Sequence, residues 1–470
     1  MEEALGAERQ LGTQEQGKTS HDLPKQGEHF MLPWGKSRLA AAILALGSVL
    51  PTAQQAQAHP SADVSFTGSG GITLHGTVFR PEGPAKSAIV LQGGSDWRTR
   101  DNLRLQAEMF TRLGVTTLVY DRRTSGYSKT QRDYGVLADD LVSAVHALRA
   151  QSGAAEVGVW GVSEGAWVAP LAATRTADIS YVITVGGSGW GGARQTSWYW
   201  GNVLRHQGIS GSLLTTLPVR GTRFAVGAGL FPEADYDPVP VLRRLKQPIL
   251  ALWGDLDINH VPVESSRIFA DALAGHPDHT IRFVAGGGPD LYATSDAGFD
   301  RLPRVVSGYP AVVGEWLADR QGVHVETAAF TQRPTEALQP LSWWESVWAQ
   351  GIALALLLGG FAVGGVVALM RRRGTRSSRW LAGLGTVTVA GFVGMLGWAQ
   401  LSGMKDLGPV FVGRPLPWLA VQALAVATVV ALAITLVGMR KPDRRRGAVA
   451  PLVAGLVFVP WAVYWGLLLP

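Results

Sequence analysis

The chain has 470 residues, 47% hydrophobic, 17% charged and without a single cysteine. It is too long for one ordinary domain and too apolar for a disordered chain, and it can form no disulfide, thiolate metal site or cysteine nucleophile. The net charge is +6, but ten basic residues lie in two short clusters between apolar runs, which reads as a topology signal rather than a nucleic-acid surface.

Residues 1–60 form an N-terminal extension and signal peptide. Residues 1–30 are polar and aperiodic, either disordered or upstream of a start at Met31. Lys36 and Arg38 then precede the short apolar core "LAAAILALGSVL" and the small-residue site Ala56-Gln57-Ala58. That is a signal-peptide pattern. An uncleaved anchor is the alternative, although the core is shorter than the ~20 residues of a span. Either places the following residues outside the cytoplasm.

Residues 61–320 alternate short β-branched segments with amphipathic ones. Seven strands are expected: "ITLHGTVF", "SAIVLQGG", "TTLVYD", "VGVWGVS", "YVITVGG", "PILALWG" and "TIRFVAG". Between them, "LADDLVSAVHALRA" sets Leu137, Leu141, Val145 and Leu148 on one helical face. The pattern implies an α/β domain with a mostly parallel sheet covered on both faces. Residues 191–247 are long enough for a helical lid, whose Trp198, Tyr199, Trp200, Phe224 and Phe231 would line a pocket or pack on the sheet.

Residues 321–342 read as a linker, and residues 343–470 as an all-α region of four transmembrane helices. The apolar runs are 347–370, 380–403, 416–439 and 447–469. "RRRGTRSSR" separates the first pair and "RKPDRRRG" the last. The positive-inside rule puts both loops in the cytoplasm and the α/β domain outside. No run contains an acidic or basic residue, which argues for an anchor over a transporter or channel. Gly360 with Gly364, and Gly391 with Gly394, permit close helix packing within the bundle or between copies.

The chemistry centres on Gly161-Val162-Ser163-Glu164-Gly165, between a strand and a helix-compatible run. G-x-S-x-G in that context is a nucleophile elbow. The alternative is a tight turn with a bystander serine. Here the chain resembles the α/β-hydrolase family, in its bacterial serine esterase and serine aminopeptidase-like branch, over about residues 63–320. "SAIVLQGGSDWRTRD" resembles the oxyanion loop, with Gln92-Gly93 where His-Gly is usual. "VYDRRTSGYS" and "GYPAVVGEWLADR" resemble later segments of that fold. The resemblance implies Ser163 as nucleophile and the Gly94 and Glu164 amides as the oxyanion hole. It implies Asp257 as the triad acid, with Asp255 second, from Gly254-Asp255-Leu256-Asp257 before Val261-Pro262.

The triad histidine should follow "TIRFVAGGG", but Pro289 stands there, before Asp290 and Leu291. Proline accepts no proton, and loss of one triad member leaves only the ~10³–10⁴-fold acceleration of binding and the oxyanion hole. His260 is the possible substitute base, read otherwise as a surface or loop histidine like His206, His276 and His279. Gly187, Gly189 and Gly192 give G-x-G-x-x-G without the following acidic residue of a dinucleotide site. No cofactor, metal or nucleic acid is expected. The partners expected are a small ester or acyl substrate, the lipid bilayer and, through the transmembrane helices, a second copy. The expected function is a membrane-tethered extracytoplasmic serine hydrolase acting on carboxylic esters; the alternative is an impaired hydrolase fold reused as a binding module. A functional bundle is disfavoured by its lack of charge.

Overall fold

The computed structural model describes residues 60–85, 87–370, 375–438 and 448–470. The signal-peptide pattern and most of both basic clusters lie outside these residues. Among the described residues, nine strands form one sheet: β1 (Ser61–Thr67), β2 (Thr73–Phe79), β3 (Ser87–Gln92), β4 (Val115–Tyr120), β5 (Val157–Val162), β6 (Val182–Val185), β7 (Ile249–Gly254), β8 (His279–Val284) and β9 (Val323–Val325). Their order is β1-β2-β4-β3-β5-β6-β7-β8-β9. β1 and β2 pair antiparallel, β2 meets β4 antiparallel, and the rest is parallel.

Helices on this sheet include α1 (Arg104–Arg112), α2 (Tyr134–Ser152), α3 (Gly165–Ala173), α5 (Pro262–Ala272) and α6 (Gly308–Ala318), while α4 (Gly192–His206) opens the lid. β3, β4, β5 and β7 are buried at every position, as a sheet covered on both faces requires. Strand alternation decides the two cores. Ala88, Val90, Val157 and Val159 join the cluster under α2, α3 and α5. Ile89, Leu91, Trp160 and Val162 join the one under α1 and α6, where the Trp160 indole donates to the Tyr309 hydroxyl at 2.7 Å. This topology is the α/β-hydrolase fold expected from the sequence.

The seven expected strands are all present, and two edge strands join them. β9 uses Val323–Val325, residues expected in the linker. Later linker residues are pinned down. The Trp198 indole donates to the Arg333 carbonyl at 2.8 Å, and the Thr335 amide donates to Glu264 at 2.7 Å.

Among the described residues, three helices are long and apolar enough to cross a membrane: α7 (Val347–Val367), α8 (Arg376–Leu401) and α9 (Leu416–Gly438). The fourth expected span differs. α10 (Val449–Tyr464) has 16 residues, short of the ~20 that a span needs. The chain turns away at Gly466, φ 75°, because its last residues are bound elsewhere. The Ser212 amide donates to the Pro470 carbonyl and the Thr216 hydroxyl to the Trp465 carbonyl, both at 2.9 Å. Gly360 and Gly364 serve packing within the chain. A Cβ on Gly360 would stand 2.5 Å from the Ala454 Cβ, and one on Gly364 3.0 Å from the Ala450 Cβ.

The lid and the bundle share one apolar core. Leu204, Leu213 and Leu217 of the lid cluster with Met404, Trp418, Trp461 and Trp465 of the bundle. Around it, the Ser210 amide donates to the Gly413 carbonyl at 2.8 Å, and Arg223 pairs with Glu345 at 2.9 Å. Burying such side chains stabilises by about 1.5–3 kcal/mol each. A fragment of residues 60–330 is therefore expected to self-associate through its bared lid face, read by light scattering; a monodisperse fragment would contradict the shared core.

Candidate active site

β5 delivers the chain to the carboxyl edge of the sheet, where α3 begins after two residues. Ser163 sits between them at φ 54°, a strained conformation for a non-glycine residue. The turn closes only because its flanking residues lack side chains. A Cβ on Gly161 would lie 2.0 Å from the Gly165 carbonyl oxygen, and one on Gly165 2.3 Å from that of Gln92. The Ser163 amide donates to the Val185 carbonyl at 2.9 Å, and its half-buried side chain lines a cavity.

Gly94 lies against the serine. A Cβ there would stand 3.1 Å from the Ser163 Cβ. Neither the Gly94 nor the Glu164 amide donates a hydrogen bond to another described residue. Both stand beside Ser163 with free donors, the arrangement that can stabilise an oxyanion. Gln92, where histidine is usual, is buried and accepts from the Tyr120 hydroxyl.

A buried charge cluster ties these pieces together. The Glu164 carboxylate meets Arg122, Arg132 at 3.0 Å and the Tyr127 hydroxyl at 2.7 Å. Burial pushes the Tyr127 hydroxyl up to about 12, so it stays a neutral donor. Arg122 also donates to the Gly93 carbonyl. One guanidinium therefore holds both the oxyanion loop and the elbow. The sequence marked "VYDRRTSGYS" only as a loop; no motif spacing gives Arg122 this task.

Asp257 and Asp255 separate clearly. Asp255 accepts from the Gly286 amide at 2.7 Å and braces a turn. Asp257 is buried, and its Oδ1 accepts from the amides of Asn259 and His260 at 2.8 and 3.0 Å. Its Oδ2 lies 2.8 Å from the His260 Nδ1. His260 is no surface histidine, contrary to one reading of the sequence: it is 0% exposed. It fits because Gly186 is bare, since a Cβ there would lie 2.6 Å from the imidazole Nδ1. The other imidazole nitrogen, Nε2, lies 3.3 Å from the Asn259 side-chain amide nitrogen and 3.7 Å from the Asp290 Oδ1, too far for a hydrogen bond to the carboxylate. Burial pulls the His260 pKa down, but the Asp257 charge and hydrogen bond, then the Asp290 charge, hold it above the ordinary value.

Pro289 and Asp290 stand in the loop after β8, as the sequence placed them, and both line the cavity with Ser163. Asp290, which sequence reasoning passed over, is buried and held by Arg301 through Oδ2, while its Oδ1 lacks a hydrogen-bond partner among the described residues. Backbone strain gathers at this edge. Ser163, Val261, Asp290 and Leu291 all have φ between 53° and 60°, and a β-branched residue such as Val261 seldom does. The Ser163 hydroxyl itself makes no hydrogen bond to another described residue, and His260 does not line the cavity.

The serine sits where two cavities meet, of about 610 and 570 Å³. Of the lid aromatics, Tyr199, Trp200 and Phe231 line them. Trp198 packs on the strap and Phe224 against Trp465 of the bundle. His206 stacks on Phe299 at 3.7 Å and lies 2.9 Å from Asp296, while His276 and His279 sit at the opposite end of the sheet, bonded to each other's segment. Among the described residues, no group of three or more His, Asp or Glu is placed to hold a metal ion.

No protein-family model matches the sequence, and no curated protein matches it. Solved structures do. A dienelactone hydrolase from Anabaena variabilis is 18% identical, with matches over 56% of this chain and 99% of that one and a TM-score of 0.37. A Pyrococcus furiosus esterase is also 18% identical, over 56% and 92%, with a TM-score of 0.41. A thermostable carboxyl esterase from Bacillus coagulans is 14% identical, over 55% and 98%, with a TM-score of 0.40.

Arg122→Leu should leave Glu164 with Arg132 as its one cationic partner and strip the Gly93 carbonyl of its guanidinium donor. Breaking a buried pair from one side costs on the order of 3 kcal/mol, so thermal denaturation of the full-length protein should show a clear fall in Tm. An unchanged Tm would show that the cluster does not hold these loops.

Proposed function

We propose that the chain is a membrane-tethered, extracytoplasmic serine hydrolase of carboxylic esters, with peptides as the second substrate class. The observation that carries this reading is Ser163, held at φ 54° with its side chain in a cavity beside two unengaged amides. A bystander serine has no use for that strain.

In this reading the Ser163 Oγ attacks the ester carbonyl, and the oxyanion is held by the Gly94 and Glu164 amides. The acyl carbon–oxygen bond to the alcohol breaks, leaving an acyl-serine. The hydroxyl proton passes to Asp290, which lines the cavity, and on to the Asp257-held His260, whose Nε2 must close the present 3.7 Å to the Asp290 Oδ1, and it then returns to the departing alkoxide. Water, deprotonated the same way, releases the acid and restores Ser163. His260 is the basic member, and Asp257 orients it as the acid of a triad would.

The tether is read from α7, α8 and α9. The lid contacts the bundle end that carries Met404, Gly413 and Trp465. Arg376 and Arg379 begin α8 at its other end. With the basic end in the cytoplasm, the hydrolase domain lies outside.

The second reading, a binding module, is favoured by Pro289 and by the unpartnered Ser163 hydroxyl. Short-chain nitrophenyl ester hydrolysis by the full-length protein separates the two. Turnover is expected in the wild type, with a loss of about 10²-fold or more in Ser163→Ala. An inactive wild type with an active Pro289→His would give the binding module the lead.

Proton uptake requires neutral His260, and its raised pKa sets when that occurs. The acid limb of the pH profile of kcat/KM should therefore lie above ~6.5, the value of free histidine. A limb at or below it, or one unmoved in Asp257→Asn, would remove His260 from the proton path.

A further inference from the structure

We propose that the Ser163 cleft draws its substrate from the bilayer, taking the acyl chain of a membrane lipid ester. The inference rests on the hydrolase reading for the reaction, but not for the binding of the lipid.

The cleft has two halves that share Ser95, Asp96, Ser163, Tyr199, Asn259 and Lys405. One half carries His206, Asp290, Asp296 and Arg301 beside Trp97 and Phe299. The other carries Trp200, Leu217, Ala225, Leu230, Phe231 and Met404. Lys129, Arg132 and Glu164 also line that half, so it offers an acyl chain an apolar strip along one wall, with the ester carbonyl at Ser163.

The bundle builds part of the wall. Gln400 at the end of α8, and Gly403, Met404 and Lys405 after it, line the apolar half with the serine. The Met404 carbonyl is held by the Gln207 amide group at 2.7 Å. The cleft therefore lies where the spans leave the hydrocarbon. Aromatic residues mark that level. Trp343 and Trp348 at the start of α7, Trp398 near the end of α8, and Phe411 before α9 are 83%, 84%, 53% and 63% exposed, and Trp and Tyr concentrate at membrane–water interfaces. Leu230, on the lid side of the apolar half, is also exposed, at 56%. A water-soluble substrate needs no such entrance; a lipid tail leaving the bilayer does.

The test uses full-length protein in dioleoyl phosphatidylcholine vesicles containing phosphatidylcholine with a diazirine on one acyl chain. After irradiation, labelled peptides are mapped by mass spectrometry. Labelling is expected at Trp200, Leu230, Phe231 or Met404, equally in wild type and Ser163→Ala, because capture needs no chemistry. Ala225→Trp, which fills the apolar half, should lower it several-fold relative to outward-facing Val430. Labels confined to outward positions such as Val430 and Ile352 would overturn the inference, even if soluble esters are hydrolysed. Cleft labelling without any Ser163-dependent turnover would leave the lipid site standing and remove the hydrolase reading.

Discussion

The buried guanidinium of Arg122 is the constraint on which the site depends. It binds the Gly93 carbonyl of the oxyanion loop and the Glu164 carboxylate of the elbow. A charge taken out of water is tolerated only when paired and hydrogen-bonded. Meeting that requirement fixes two loops from different crossovers against each other. The Gly94 and Glu164 amides, which donate to no other described residue, then lie beside Ser163. Bare glycines at 161 and 165 allow the approach, and the charge cluster holds it.

A second constraint couples two solvents. The lid buries Leu204, Leu213 and Leu217 against the membrane bundle rather than against the sheet alone. The insertion is thus anchored at the bundle end that carries Met404 and Trp465. The same contact explains the short α10. Its C-terminal residues turn at Gly466 to meet Ser212 and Thr216, so they leave the helix.

Much of the fold was legible locally. Runs such as "PILALWG" carry their strand character in β-branched, apolar composition, and G-x-S-x-G carries its turn in the spacing of its glycines. The edge strands were not legible, because β1 and β9 are half solvated and β9 is three residues long. Of the candidate site, Ser163, Gly94, Glu164 and Asp257 could be placed from motif position. His260 could be named, but its burial could not. That depends on Gly186, which stands 74 residues earlier in the chain and leaves room for the ring. Asp290 gave no signal, since an aspartate after Pro289 in a glycine-rich loop reads as an ordinary turn.

The sequence by itself determined the parallel sheet, the serine at its carboxyl edge, the apolar helices after residue 343 and the absence of a histidine at 289. These follow from composition, period and short spacings, which a chain carries wherever it folds. Only the tertiary structure decided that Asp257 holds a buried His260 with Asp290 3.7 Å from its ring, that Arg122 joins two loops, and that the bundle walls the cleft. Each of these brings together side chains from separate crossovers. Their meeting is set by strand order and by what a bare glycine or a buried charge allows, and neither is written in any one segment.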